Sequence, residues 1–208
     1  MNKRAAFVNR DYAGTALFVA DTFDEIQQYD FAGDAQTIAN TYLGNFDVTT
    51  AFVDELGTRP TRNLLTNEIN QGTTLTSFFG HSSTNQWSFD GLLTGNDAAG
   101  LSNVGRPTVV TQWGCWNAYY VSPEEDSMGH RFLMEGEQGA VSVMGATTLT
   151  SASAERALAK LVFARLANGE RLGDAVTGAK QEYATTNPDD LDVLLGWTIL
   201  GMPELFIN

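Results

Sequence analysis

Two side chains suited to nucleophilic and acid–base chemistry stand out in this sequence. Cys115 is the only cysteine among 208 residues, so it cannot form an intrachain disulfide, and His81 is one of two histidines. Each follows an apolar run and a glycine, in TLTSFFGHSS (residues 74–83) and VVTQWGCWNA (residues 109–118). Such runs are typical of buried parallel strands, whose carboxyl ends meet at one edge of a sheet. The pattern therefore predicts one shared site with a cysteine nucleophile and a histidine base.

Each of these residues also has a purely structural interpretation. A lone cysteine is most often a small buried apolar residue, and a loop histidine often only satisfies hydrogen bonds. Cys115 lies between Gly114 and Trp116, just past a strand end, where backbone N–H groups point outward, and this favours catalysis. The second histidine, His130, falls inside a predicted helix and is assigned a structural role.

Length and composition indicate a folded, acidic chain. With 208 residues, 43% of them hydrophobic, we expect one domain over residues 1–208, with residues 1–14 as a peripheral N-terminal segment. The net charge of -13 disfavours nucleic acid and anionic membranes as partners, because these are bound through clustered Lys and Arg. No apolar run approaches the ~18 residues of a membrane span. The start of the chain lacks the apolar stretch of a signal peptide, so we expect any export signal to lie outside this chain.

Apolar runs alternate with helical patterns along the chain, as in α/β proteins. Predicted strands cover residues 15–21, 46–53, 74–79, 107–112 and 140–149, with paired short strands within residues 194–207. Predicted helices cover residues 34–43 with Asp34 as N-cap, 61–71, 122–136 with Pro123 in the first turn, 153–168 and 172–185. Residues 83–107, with Trp87 and Phe89, are interpreted as a long surface loop used for binding. The alternation predicts a mostly parallel sheet covered on both faces.

Other catalytic and metal-binding patterns are missing from the sequence. It contains no G-x-S-x-G elbow, P-loop, G-x-G-x-x-G or H-E-x-x-H motif, which argues against serine hydrolases, NTPases, dinucleotide enzymes and zincins. A zinc cage would need more sulfur and imidazole ligands than the chain holds. Five acidic residues offer calcium-type ligands, but without EF-hand spacing, so a solvated loop is the favoured interpretation. They are Asp21, Asp24, Glu25, Asp30 and Asp34. We expect no required cofactor and no metal site.

Three segments resemble the gingipain-type cysteine peptidases, which share the caspase-like fold. FFGHSSTNQW (residues 78–87) is similar to the histidine motif of that family, VVTQWGCWNA to its cysteine motif, and WTILGMPEL (residues 197–205) to its closing strand. The separation of 34 residues between His81 and Cys115 also agrees with the family. The resemblance covers nearly the whole chain and implies an α/β/α sandwich with a mostly parallel sheet.

The resemblance assigns roles to the matching residues. Cys115 would be the nucleophile and His81 the general base and acid of a cysteine endopeptidase acting on polypeptides through a thioacyl-enzyme. The backbone N–H groups of Cys115 and Ser82 would hold the developing oxyanion. Asp21 or Asp24 would orient His81. Because family members are often secreted, the resemblance also implies a secreted or cell-surface protein.

The sequence departs from the family pattern at several positions. The family usually has Gly where this chain has Ser82 and Ala where it has Gly114, and Met202 replaces an Asp in the closing motif. In arginine-cleaving members, a loop aspartate contacts the basic substrate side chain, and a Trp walls that pocket. The corresponding pocket residues here would be Asp30 or Asp34, together with Thr150, Ala152 and Trp116. The resemblance therefore also implies a preference for substrates that have a basic residue before the scissile bond.

Two alternatives remain beside the endopeptidase. A transpeptidase or maturation enzyme would use the same acyl-enzyme but transfer it to an amine. A non-catalytic, peptidase-like binding module would instead use an aromatic contact surface made of Trp87, Trp113, Trp116 and Tyr119.

Overall fold

A computed structural model describes residues 2–122 and 124–208 of the chain. Within these residues, the strands are β1 Thr15–Ala20, β2 Asp47–Phe52, β3 Leu75–Phe79, β4 Ser82–Ser83, β5 Gln86–Trp87, β6 Leu93–Thr94, β7 Thr108–Trp113, β8 Ala140–Ala146 and β9 Trp197–Gly201. The helices are α1 Lys3–Val8, α2 Phe31–Tyr42, α3 Val53–Leu56, α4 Thr58–Gln71, α5 Gly95–Ala99, α6 Met128–Met134, α7 Ala152–Ala167, α8 Leu172–Thr186 and α9 Leu191–Gly196. The alternation of strands and helices predicted from the sequence is confirmed.

The central sheet has six strands in the order β2-β1-β3-β7-β8-β9. All neighbouring pairs are parallel except β8 and β9, which run antiparallel. The chain passes from β1 outward to β2 and then returns to the other side of β1 with β3. This reversal opens a crevice at the carboxyl ends of β1 and β3, where α/β proteins usually bind their ligands.

Helices cover both faces of the sheet and form two cores. Along β1, Phe18 points into one core and Leu17 and Val19 into the other, as the alternation of a strand requires. The core around Phe18 is closed by α2, α7, α8 and α9, and the opposite core by α4, α5 and α6. The predicted three-layer α/β/α sandwich with a mostly parallel sheet is confirmed.

The C-terminal segment differs from the sequence-based expectation, and the N-terminal segment contains a helix. Residues 3–8 form α1, and Phe7 is fully buried in the core. At the other end, residues 191–196 form helix α9, and β9 is the only strand found in the described part of that segment. The prediction of paired short strands there is wrong, because β9 pairs with β8 instead of with a neighbour in sequence.

Two helix starts also differ from prediction. Helix α2 begins at Phe31, because Asp30 accepts a hydrogen bond from the N–H of Gly33 and is the N-cap in place of Asp34. Helix α6 begins at Met128 with Ser127 as its N-cap. The predicted start at residue 122 is therefore wrong, and Pro123 lies outside the described residues.

The segment 83–107 is more ordered than a plain surface loop. It contains part of the small antiparallel sheet β4-β5-β6 and the helix α5. Trp87 is fully buried, stacks on Phe78 at a centroid distance of 4.6 Å and donates to the side chain of Gln112. This segment is therefore anchored to the core through Trp87.

Candidate active site

Loops that follow four adjacent strands meet at the carboxyl edge of the sheet. They come from β1, β3, β7 and β8, and they enclose a cleft of about 530 Å³. The cleft is lined by Gln27, Phe31, Gly80, His81, Ser82, Phe89, Gly114, Cys115, Trp116, Leu149, Thr150, Ser151, Ala152 and Glu155. The structure thus brings Cys115 and His81 to one cleft, as their strand-end positions predict.

The turn into His81 depends on Gly80, which has φ +156°. A Cβ atom at this position would lie 2.4 Å from Cβ of Asp21, so only glycine fits where β3 leaves the sheet. The N–H of Gly80 donates to the carbonyl of Trp113 at 3.1 Å, which extends the pairing of β3 and β7 to the last residues before the site. The two catalytic candidates therefore project from neighbouring, hydrogen-bonded strand ends.

The imidazole of His81 is held by three contacts. Its Nε2 lies 2.8 Å from Oδ2 of Asp24. The ring of Phe89 stacks on it at 4.7 Å between centroids, and the ring of Phe31 meets it edge-on at 5.3 Å. No residue in the described ranges bonds to Nδ1 of this ring.

Of the two acids predicted to orient His81, the structure places Asp24 against the ring. The N–H of Gln27 donates to the Asp24 carboxylate and, with the His81 ring and the N–H of Ile26, lowers the pKa of Asp24 to about 2. Asp24 is therefore ionised throughout the physiological range. It can hold one tautomer of the imidazole and stabilise its protonated form.

Asp21 lies instead beneath the backbone of the same loops. Its carboxylate accepts from the N–H of Thr22 at 2.9 Å and is buried. Burial raises the pKa of Asp21, and the Ser88 hydroxyl and nearby backbone N–H groups oppose that shift. Asp21 thus ties the ends of β1 and β3 together and does not contact the imidazole nitrogens.

The thiol of Cys115 faces Thr150 in the structure. Its Sγ lies 3.4 Å from the carbonyl oxygen, 3.5 Å from the N–H nitrogen and 3.7 Å from Oγ1 of that residue. Burial raises the pKa of the Cys115 thiol above its usual range. No hydrogen bond between Sγ and His81 is present within residues 2–122 and 124–208.

The backbone around Cys115 has two features of a reactive site. Trp116 adopts φ +61°, a left-handed conformation that is strained for a tryptophan and that clusters at functional sites. Among the described residues, the N–H of Cys115 has no acceptor and is free to bind an oxyanion. The side chain of Trp116 contacts Tyr119 edge-on at 5.2 Å and lines the cleft, as predicted for the pocket.

The two predicted pocket aspartates are directed elsewhere. Asp30 caps helix α2, and Asp34 accepts from the Tyr29 hydroxyl at 2.5 Å and from Arg156 at 3.3 Å. Neither is among the residues that line the cleft, and the prediction that one of them contacts a substrate side chain stays a prediction. The other predicted pocket residues, Thr150 and Ala152, do line it.

A different acid, Glu155, lies in the cleft wall, and the sequence analysis missed it. It is only 4% exposed, and the Thr150 hydroxyl donates to its carboxyl group. Burial, together with the negative charge of Asp192, raises the pKa of Glu155 to about 8, although the hydrogen bond from Thr150 opposes the shift. An acid in the first turn of a helix is ordinarily explained by the helix dipole, so the sequence carries no separate signal for it.

Asn117 was also missed, and it joins the Cys115 loop to its surroundings. Its amide donates to the carbonyl of Gly114 at 2.8 Å and to Oγ of Ser82 at 3.1 Å, and it accepts from the N–H of Ala146. Buried amides with several partners fix loops that have no regular structure. Its position two residues after Cys115 is the only sequence signal for this role.

The described residues show neither a metal centre nor a membrane span. No group of three or more His, Cys, Asp or Glu side chains in them is arranged to hold a metal ion. None of the helices in those same residues is long and apolar enough to cross a bilayer. The acids considered for calcium have other partners, since Asp24 binds His81 and Asp30 caps a helix.

Comparison with known proteins adds an independent result to this geometry. The model of peptidase family C25 matches residues 2–208. This chain belongs to peptidase family C25. A search of curated protein sequences gives no match.

Solved structures similar to this C25 family member support the same fold. A complex of the RgpB pro- and mature domains from Porphyromonas gingivalis aligns with TM-score 0.80 and 15% identity, over 99% of this chain and 53% of that chain. The Arg-specific cysteine proteinase gingipain R (RgpB) aligns with TM-score 0.77 and 15% identity, over 99% and 52%. A structure described as a protease aligns with TM-score 0.77 and 12% identity, over 99% and 51%. The C25 chain therefore spans about half the length of these relatives and shares their caspase-like fold.

In this C25 chain, the two departures beside the catalytic residues occupy the same space. A Cβ atom on Gly114 would lie 2.4 Å from Oγ of Ser82 and 2.3 Å from the carbonyl oxygen of Gly80. Ser82 Oγ donates to the carbonyl of Cys115 at 2.7 Å and accepts from Asn117. The serine hydroxyl thus fills the volume next to Gly114 and ties the histidine loop to the cysteine loop.

Proposed function

We propose that this chain is the catalytic part of a cysteine endopeptidase that uses Cys115 and His81 as a dyad. The observation that carries the proposal is the meeting of both residues in one cleft, with His81 oriented by an ionised Asp24. The geometry fits a dyad whose members are separated at rest and act on opposite sides of a bound peptide bond.

The proposed reaction proceeds through a thioacyl-enzyme. The Cys115 thiol gives its proton to His81, and its sulfur forms a bond to the scissile carbonyl carbon. The carbonyl oxygen becomes an oxyanion that accepts from the backbone N–H groups of Cys115 and Ser82. The carbon–nitrogen bond then breaks as His81 returns the proton to the leaving amine. Water, deprotonated by His81, hydrolyses the thioester and restores the thiol.

Glu155 is our candidate for selecting the residue before the scissile bond. Its carboxyl group is neutral at pH 7, because burial holds its pKa near 8. A lysine or arginine side chain entering the cleft would provide the missing opposite charge, so Glu155 would release its proton and form an ion pair. We infer that the preference for a basic residue depends on Glu155 and not on Asp30 or Asp34.

The test of the proposed function is cleavage of a library of internally quenched peptides by the 208-residue chain. We expect cleavage by the wild type and by His130→Ala, and loss of cleavage in Cys115→Ala and His81→Ala. His130 is the matched control, because it is the other histidine and its partner Asp126 lies outside the cleft. Equal cleavage by wild type and Cys115→Ala would overturn the dyad.

Product analysis separates hydrolysis from acyl transfer. With an added amine nucleophile, an endopeptidase gives hydrolysis products, whereas a transpeptidase gives the amine adduct. Two of the four aromatic residues considered for the binding-module alternative, Trp87 and Trp113, are buried, which speaks against it. Slow alkylation of Cys115 near neutral pH would not favour that alternative, because the half-buried thiol of a peptidase, with its raised pKa, would also react slowly.

We extend the proposal to location. Secretion or surface display is the expectation that follows from the likeness to gingipains. Comparison of washed cells with culture medium from the source organism, using an antibody to this chain, would test it. Detection only inside lysed cells would contradict that proposal.

A further inference from the structure

A second cleft adjoins the active cleft on the other side of His81. It measures about 450 Å³ and is lined mainly by the loop of residues 22–27, by His81 and by Phe89. His81, Phe89 and Gln27 belong to both clefts, whereas Cys115 borders only the first. The imidazole and the phenyl ring stacked on it therefore form the boundary between the two clefts.

Two large apolar side chains are exposed at this second cleft. Ile26 is 95% exposed and Phe89 is 74% exposed. Single exposed apolar residues are common, but these two come from distant parts of the sequence and line the same cleft as the imidazole of His81. Their exposure has no role in the fold, because neither belongs to the core.

Hydrogen bonds fix the backbone of both loop tips. Ile26 lies at the tip of a loop closed by paired backbone bonds between Asp24 and Tyr29, and its own N–H donates to Asp24. Phe89 lies in a tight turn in which the N–H of Gly91 donates to the carbonyl of Ser88 at 3.0 Å. Two ordered tips thus present apolar groups to solvent, a preorganised arrangement that lowers the entropic cost of binding.

The chemistry of peptide cleavage fixes which part of a substrate reaches this cleft. Cys115 attacks the carbonyl carbon, and His81 protonates the amine that leaves, so the residues after the scissile bond lie on the His81 side. The cleft beyond His81 is the continuation of the substrate path in that direction. The charge around it is negative, because Asp24 is ionised and Glu25 is exposed at the rim.

We propose that Ile26 and Phe89 form a subsite for a large apolar residue of the substrate. That residue is the first or the second one after the scissile bond. This inference rests on the proposed peptidase function and adds its selectivity on the leaving-group side. An apolar side chain buries both exposed groups there, which is favourable in water. An acidic side chain at the same place meets the charges of Asp24 and Glu25 and is disfavoured.

The test uses peptides that are identical before the scissile bond. In the reference peptide, every residue after the scissile bond is glycine. In the other peptides of the series, leucine or aspartate replaces the glycine at the first or the second position after the bond. A fluorogenic amide with the same preceding residues has no residue after the bond and reports catalysis alone. For the wild type, we expect kcat/KM to be about tenfold higher with leucine than with glycine at the preferred position, and lower still with aspartate.

Variants connect the preference to this cleft. In Ile26→Thr, the leucine-to-glycine ratio is expected to fall to about threefold. In Val104→Thr, a matched exposed residue that lines neither cleft, the ratio stays near tenfold. A ratio near one in the wild type, with the fluorogenic amide cleaved, would overturn the subsite alone, and an unchanged ratio in Ile26→Thr would overturn its location. Failure of the wild type to cleave any substrate would overturn the proposed function and the subsite with it.

Discussion

The two sides of the active cleft carry carboxyl groups in opposite protonation states. Asp24 lies in a surface loop, where backbone N–H groups and His81 lower its pKa to about 2. Glu155 lies in the interior, where burial raises its pKa to about 8 and its side-chain partner is the Thr150 hydroxyl. The difference teaches that donors and solvent decide the charge of an acid at this edge of the sheet, since both residues begin with similar intrinsic acidity.

The different protonation states give the two sides of the cleft different electrostatic roles. The His81 side holds a permanent negative charge that orients the imidazole. On the Cys115 side, Glu155 is mostly neutral near pH 7, and in the proposed mechanism it therefore does not repel the thiolate that attacks the substrate. Pairs of acids held at different pKa values are a common means of separating roles in one active site.

The largest expected effect is on stability. The unfolded pKa of Glu155 is 4.5 and the folded pKa about 8, so the folded state binds the extra proton between these values. This contribution is fully present below pH 4.5 and is lost as pH rises to 8. We expect the free energy of unfolding of the wild type to fall from pH 5 to pH 9 by on the order of a few kcal/mol.

Urea unfolding at pH 5, 7 and 9 measures this dependence. Glu155→Gln should show a much shallower slope, because glutamine does not titrate. Asp24→Asn should keep the wild-type slope, since the Asp24 pKa is lowered and its titration lies below pH 4. A Glu155→Gln variant with the full wild-type slope would remove the contrast between the two carboxyl groups.

The second effect is on the rate. Asp24→Asn removes the ionised partner of the His81 ring, and we expect kcat/KM to fall about 100-fold, within the usual contribution of a positioned general acid–base group. The matched control is Asp126→Asn, which disrupts a carboxylate–histidine pair with His130 outside the cleft. Rates measured on a fluorogenic amide should be unchanged in the control. A fall in both variants would show that the His81 side has no special role.

The third effect is on selectivity. In the wild type, the preference for lysine or arginine over glutamine before the scissile bond should rise from pH 6 to pH 9, as Glu155 becomes easier to ionise. Glu155→Gln should lower this preference about tenfold and flatten its pH dependence, because the buried opposite charge is lost. Asp30→Asn preserves the helix cap and should retain the preference. If only Asp30→Asn lost the preference for a basic residue, selectivity would depend on Asp30 and not on Glu155.

The smallest effect concerns the link between the two sides. Ser82 Oγ donates to the carbonyl of Cys115, and a hydrogen bond of this kind contributes about 1 kcal/mol. Ser82→Ala should therefore lower kcat about fivefold with little change in KM. Ser83→Ala, at an exposed neighbour, is the control. A change confined to KM would show that Ser82 contacts substrate and does not position Cys115.

The sequence alone predicts most of the architecture and the two central residues. Apolar runs that end at glycine mark β3 and β7, and the residues after these runs reach the same sheet edge because the strands are parallel neighbours. Prediction failed where a segment pairs with distant chain, as β9 does with β8, and at helix starts, where several acids compete for the cap. Both failures arise because a local sequence pattern does not determine which strand a segment pairs with or which acid caps a helix.

What the sequence determined by itself is therefore the placement of Cys115, His81 and Ser82 at strand ends, since hydrophobic pattern and glycine position decide that locally. Only the tertiary structure determined which acids lie close to these residues. Asp24 meets His81 across 57 positions of sequence, and Glu155 reaches the cleft because α7 packs against the sheet beside β7. The charge of each acid follows from donors and burial that distant segments supply, and no local pattern contains them.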